Sequence, residues 1–246
     1  MKQLLILVCA LGWLMTACNR DKFPGCFMPA GKAIHKEIPV PGGFHTIAIF
    51  DDIHLEIHPG QDNNLVLQGG ENLLEHVDIT VQDSILSIRN HNMCNWMRNL
   101  EHMPILRIHS HSIRNIQYSG SGDIVFADTL FQDYFTLEVW DGYGQISPII
   151  NARAGSFKLH SGAATMTPAG KVETADIWAA SHGRFDGRRL ETRRAYIQHR
   201  SGNHAFVWAR DSLLIRLLST GNLYFRGNPE VRLLEHTGSG GAYPFP

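Results

Sequence analysis

Four side chains fall at near-equal intervals in the second half of the chain: Trp140, His160, Trp178 and Arg200. Each follows directly on an alternating, inward-reading pair whose second members are Val139, Leu159, Ile177 and His199. Two indoles, an imidazole and a guanidinium do no bond-making chemistry by themselves. They can form a stacking surface, because a flat indole packs on sugar faces and a guanidinium lies flat on an aromatic ring. Tryptophan and arginine are also frequent anchors of protein interfaces. The plainer use of the same residues is burial under the N-terminal strands or a loop.

Other chemistry finds less support. His54, Glu56 and His58 share one face of an alternating stretch, and His109 and His111 make a similar pair. Zinc needs a third or fourth ligand in place, and 14 histidines make such pairs common by chance. Sugar hydrolysis needs paired carboxylates at set separations. Asp123 and Asp141 fall near successive corners of the repeat described below, but later equivalents are Ser161, Ala164 and His182, so no acidic column builds up. His182 and His204 also fall near corners without a carboxylate partner in the pattern. There is no nucleophile elbow, phosphate loop or dinucleotide fingerprint. The expectation is a protein that is not an enzyme and that needs no metal or cofactor. A carbohydrate-active β-helix enzyme and a structural, self-associating module stand as the alternatives. The formal net charge of −1 gives no electrostatic case for nucleic acid. The basic segment holding Arg184, Arg188, Arg189, Arg193, Arg194 and Arg200, interleaved with Asp186 and Glu191, reads as a solvated face, with a polyanion site as the alternative.

The elements that must position these residues show as a repeat. Residues 116–122, Ile-Gln-Tyr-Ser-Gly-Ser-Gly, return in degraded form to the C-terminus. The alternating pairs are Ile116/Tyr118, Leu137/Val139, Phe157/Leu159, Ala175/Ile177, Ile197/His199, Ile215/Leu217 and Leu234/His236, with second members 21, 20, 18, 22, 18 and 19 residues apart. Three positions later stand Ser121, Gly142, Gly162, Ala180, Gly202, Thr220 and Ser239, all small. A fixed period with two inward residues and a tight corner predicts an all-β, parallel β-solenoid with rungs of about twenty residues. Rungs stacked about 4.8 Å apart would align Trp140, His160, Trp178 and Arg200 as one outward strip. Valine at Gly162 or at Gly202 is expected to overpack the corner.

Upstream, residues 34–115 read as further strands, with a tight turn at Gln82-Asp83-Ser84, a short helical turn over 72–76 and a polar loop over 91–103. No linker interrupts 34–246, which predicts one domain whose clear repeats begin at 116. Residues 1–17 read as a signal segment, with Lys2 before an apolar run too short to span a bilayer. Met15-Thr16-Ala17-Cys18 resembles a bacterial lipobox, although leucine is commoner than methionine at its first place. That predicts a lipid on Cys18, a membrane held through it, and a flexible tether over 18–33. Removal of the leader and lipidation of Cys18 leave Cys26 and Cys94, and an oxidising compartment permits, without requiring, a disulfide between them.

The order of several short stretches resembles the bacterial head GIN domain lipoproteins, labelled auto-transporter adhesins and common in Bacteroidetes. They are Gly43-Phe44-His45-Thr46-Ile47, the strand 53–58 before Pro59-Gly60, Glu71-Asn72-Leu73-Leu74, Leu86-Ser87-Ile88 and residues 116–123. The closing stretches 223–229 and 237–240 complete the likeness, which covers nearly the whole mature chain. The resemblance implies a right-handed β-helix, an envelope location and no established catalysis; "adhesin" is the family's label, and the expectation for this chain is an adhesin-like binding face for protein or glycan. Later corners depart from the small-residue pattern, as in Trp140-Asp141-Gly142-Tyr143 and Arg200-Ser201-Gly202-Asn203.

Overall fold

The structure is a computed structural model and describes residues 29–40, 43–60, 63–95 and 102–245. It is a β-solenoid of about six turns with coils of roughly twenty residues. Each coil contributes a strand to a long face and a strand to a short face.

The long face stacks β8 (Asn115–Gly120), β10 (Leu130–Val139), β12 (Ile149–Leu159), β14 (Ala169–Ser181), β15 (Arg184–Ser201), β16 (Ala205–Leu217) and β18 (Glu230–His236) in parallel. On the short face lie β9 (Ile124–Phe126), β11 (Gln145–Ser147), β13 (Thr165–Met166), the leading parts of β15 and β16, β17 (Leu223–Arg226) and β19 (Ala242–Pro244).

Alternation explains these strands, since successive side chains point to opposite sides and one side of every coil meets the interior. The inward columns run Ile116, Leu137, Phe157, Ile177, Ile197, Ile215 and Tyr118, Val139, Leu159, Ala179, His199, Leu217. All are buried. Phe126, Phe135, Phe157 and Phe185 fill the space between the faces, with successive ring centroids 6.2, 6.3 and 6.3 Å apart. The buried Tyr118 keeps its polar tip satisfied by donating to the Gly122 carbonyl at 2.5 Å.

Three details of the register differ from the sequence expectation. Phe157 lies beside Ile177 and Leu159 beside Ala179, so the inward pair of that coil is Ile177/Ala179 rather than Ala175/Ile177. A bulge near Leu234 places Leu233 beside Ile215 and His236 beside Leu217. At the corner, Gly162 has φ +86 and a Cβ there would run into the Gly142 backbone, whereas a Cβ on Gly202 would meet only Thr220 Oγ1 at 3.5 Å. The two glycines are therefore not equivalent. The tighter column lies next to the short face, where Gly122, Gly144, Gly221 and Gly240 each press on the backbone of the coil before.

The N-terminal coils are threaded out of order. β2 (Thr46–Asp51) and β3 (His54–His58) form the coil directly beneath β8 and β9. The chain then leaves through β4 (Asn64–Gly70), the single-turn helix α1 (Glu71–Leu74) and β5 (Val77–Gln82). It returns as β6 (Ile85–Asn90) and β7 (Ile105–His109), which form the coil on the other side of β2 and β3. β1 (Ala33–Ile38) pairs antiparallel with β4, β4 with β7, and β5 with β6, and these antiparallel strands close that end. Asp83 and Ser84, both at positive φ, make the two-residue turn between β5 and β6.

Candidate binding face

The outward residues at the end of the long-face strands form a ladder of planar groups. Trp140 follows β10, and its ring lies on the His160 ring with centroids 3.8 Å apart and planes 10° from parallel. His160 follows β12 and meets Trp178 at 6.2 Å and 36°. Arg200, near the end of β15, places its guanidinium carbon 4.8 Å from the Trp178 ring centroid. The four residues singled out in the sequence are thus brought into one continuous stack.

The stack is not the vertical column that the repeat suggested. Trp178 lies beside Lys158 and Gln198, and the residue beside Arg200 is Ala180. A slip of two residues keeps a side chain on the same face of a strand, so Trp178 still points outward. Its ring reaches the neighbours because Ala180 leaves room between the coils of His160 and Arg200.

Trp140 ends the ladder and is 49% exposed. Ser119 is the residue before it in that column, since Val139 lies beside Tyr118. One face of the indole is therefore covered by His160 and the other meets only a small side chain. Tyr143, 64% exposed, stands three residues on, with its N–H donating to the Gly120 carbonyl. Burial between the indoles holds the His160 pKa below the usual imidazole value, with Glu138 opposing and Lys158 assisting. The shift favours the neutral ring, which suits stacking against tryptophan without a desolvated charge.

The histidines of the first coils are gathered for a different purpose. His58 stacks on His109 at 4.8 Å, and Glu56 lies between His58 at 3.6 Å and Arg107 at 2.6 Å. Burial raises the Glu56 pKa, but the bond and charge of Arg107 outweigh it and hold the carboxyl below its ordinary value. His111 turns instead to the Gly60 carbonyl. Among the described residues no three His, Cys, Asp or Glu side chains are placed to hold a metal ion. Asp123 accepts from the Gln145 N–H at 2.8 Å and lies 3.8 Å from His54, while the backbone of Asp141 is tied to Ser161 Oγ. His204 accepts from the Asn222 N–H and lies edge-on to Tyr224, and the carbonyl of His182 accepts from Asn203. These residues serve corners.

Cys18 and Cys26 lie outside the described residues. Cys94 is disulfide-bonded. Sequence reasoning missed the second ladder on the short face, where Phe206, Tyr224 and Tyr243 stack at 5.3 and 5.9 Å with Arg188 over Phe206 at 4.7 Å. Its signal was present as an aromatic at matching places in three successive coils.

The family described as "putative auto-transporter adhesin, head GIN domain" matches residues 43–229. Among solved structures, a "putative adhesin" from Bacteroides fragilis NCTC 9343 superposes with a TM-score of 0.80 at 16% identity, over 88% of this chain and 99% of its own. Another "putative adhesin", from Parabacteroides distasonis ATCC 8503, gives 0.64 at 18% identity over 87% and 98%. A "putative lipid binding protein" from that same organism gives 0.59 at 16% identity over 88% and 98%. Identities this low carry the fold alone. No curated protein matches the chain.

Proposed function

The chain belongs to the head GIN domain family of auto-transporter-type adhesins, and from that premise we propose that it is a non-catalytic cell-envelope binding protein whose Trp140 ladder contacts a glycan. The single observation behind this reading is the half-exposed Trp140 ring, held on one side by the stacked His160. An aromatic face held rigid from behind loses little freedom when a sugar ring settles on it. Tyr143 adds a second exposed ring in the same corner. Arg200, lying on Trp178, supplies hydrogen-bond donors at the far end of the stack. Family membership supports the envelope location, and a lipid on Cys18, part of the same proposal, would hold the protein on a membrane, the outer membrane in this reading.

The test compares wild type with the Trp140→Ala, Trp178→Ala double variant on an array of envelope and host glycans beside an array of host proteins. Capture of a glycan should be lost in the variant, while the thermal midpoint falls by the equivalent of about 1 kcal/mol or less, as for surface residues. Loss of about 3–5 kcal/mol in each single variant would mark the rings as core. Glycan capture that survives the double substitution would remove the ladder from the function, and loss of protein capture instead would turn the same face to a protein partner.

A further inference from the structure

β15 has a corner that the next coil lacks. Gly187 lies beside Val207, yet the next paired residue of β15 is Glu191, beside Trp208. Residues 188–190 therefore have no counterpart on β16, although Arg189 and Leu190 still pair with Ala169 and Gly170 of β14. Leu190 turns inward and is buried, while Arg188 and Arg189 are exposed. Arg226, on β17, lies beside Trp208 and holds its guanidinium carbon 3.8 Å from the Trp208 ring centroid. An open groove of about 440 Å³ results, lined by Thr167, Asp186, Arg188, Arg189 and Arg226.

The charges in this groove do not cancel. Asp186 is buried and accepts from Arg188 Nε at 2.8 Å and from the Arg188 backbone N–H at 3.3 Å, with Arg184 3.9 Å away. Four guanidinium groups, of Arg184, Arg188, Arg189 and Arg226, thus meet one carboxylate, a local sum of 4 − 1 = +3 in a chain whose formal net charge is −1. Elsewhere in the same basic segment the arginines are engaged: Arg193 with Asp211 at 2.6 Å and Arg194 with Thr174 at 3.3 Å. Arg189 and Arg226 bond to no side-chain or carbonyl oxygen among the described residues, and Arg226 Nε is buried without a partner. A buried donor left unmade is unusual in a folded chain.

We propose that this groove binds the carboxylate of an acidic saccharide. A guanidinium is a planar fork that matches a carboxylate with two parallel hydrogen bonds. Arg226 is held over Trp208 and Arg188 is locked by Asp186, so the site is formed before the ligand arrives. The groove is concave and of a size for a sugar unit, with Thr167 as a further hydroxyl on its wall. The site shares no residue with the Trp140 ladder and does not depend on that reading.

The experiment is calorimetric titration of the full mature protein with trigalacturonate, a neutral trisaccharide, a sulfated disaccharide, inorganic phosphate and a short single-stranded DNA. Trigalacturonate should bind, with affinity falling as salt rises, and the neutral sugar should not. Arg226→Gln and Arg189→Gln should each weaken binding by about tenfold or more, the loss of a charge-assisted hydrogen bond. Arg189 makes no side-chain hydrogen bond or ion pair among the described residues, so its variant keeps the test valid if Arg226→Gln fails to fold. Arg193→Gln and the Trp140→Ala, Trp178→Ala variant should leave trigalacturonate binding unchanged. The proposal is overturned by absent binding to wild type, by equal loss in Arg193→Gln, or by tighter binding of sulfated sugar, phosphate or DNA than of the carboxylated one.

Discussion

His199 carries the most consequential single imidazole in the stack. It occupies the inward column between Ala179 and Leu217, is 1% exposed, and has Nε2 buried without a partner while Nδ1 accepts from the Ser201 N–H at 3.3 Å. Burial is the main cause of a pKa below the ordinary 6.5, with nearby His204 adding to it and backbone contacts at Asn222 and Asn203 opposing. The folded ring therefore stays neutral where the unfolded one takes a proton. Its contribution to stability is complete above pH about 6.5 and declines as the pH falls below that value. His160 acts in the same direction. We expect the thermal midpoint of wild type to drop between pH 7 and pH 5, before Asp186 and Glu56, both held below ordinary carboxylate values, begin to protonate. His199→Leu, which fits a column already holding Leu159 and Leu217, should flatten that slope; parallel pH profiles for the two proteins would dismiss the role. Alternation alone placed His199 inward in the sequence. Its missing partner was invisible there, because hydrogen-bond satisfaction depends on the next coil.

Coils and their corners separate what sequence can and cannot reveal at the level of elements. Strands were legible because one apolar side per coil repeats with period two, and any slip by two residues preserves it. That same tolerance hid the true neighbours of Trp178 and the bulge at Leu234. Corners vary in length from coil to coil, so a column of small residues read by counting mixes tight and loose places. Gly162, at φ +86 with the Gly142 backbone where a Cβ would go, is tight; Gly202 is loose. Gly162→Val should destabilise by about 1–3 kcal/mol through overpacking and left-handed strain. Gly202→Val should shift the midpoint little, by less than about 0.5 kcal/mol. Denaturant melts of both variants check the pair, and equal losses would mean the corner geometry is wrong. The groove beside Arg188 has the same origin: β15 spends three residues that β16 omits, a difference written in the spacing but meaningless until the register is known.

Across the molecule the two ends of the solenoid differ, and the difference bears on how it is held. Antiparallel strands and α1 close the first end, and residues 29–32 bind there: Asn72 Nδ2 donates to the Pro29 carbonyl at 2.9 Å and the Glu71 N–H to the Lys32 carbonyl at 2.9 Å. At the other end every residue of β18 is exposed, Leu233 and Leu234 included at 51% and 52%. Cys18 precedes Pro29 by 11 residues, a reach of at most about 40 Å for an extended chain. A lipid on Cys18 would thus tether the protein by its closed end, within that reach of the bilayer. Cys94 sits two residues after Asn92, whose side chain donates to the Leu73 carbonyl at 2.8 Å, on the helix that residues 29–32 also touch. Cys26 comes three residues before Pro29, and we expect it to be the disulfide partner of Cys94, fastening the tether to the cap. More than one acyl chain is needed for stable anchoring. Peptide mapping of the membrane-extracted protein without reductant should therefore recover two species: an acylated peptide beginning at Cys18, and a cross-linked pair containing Cys26 and Cys94. Cys18→Ser should move the mature protein to the soluble fraction. Retention of that variant in the membrane with its leader removed would refute the anchor, and a Cys94 peptide joined to another cysteine would refute the fastening while leaving the anchor intact.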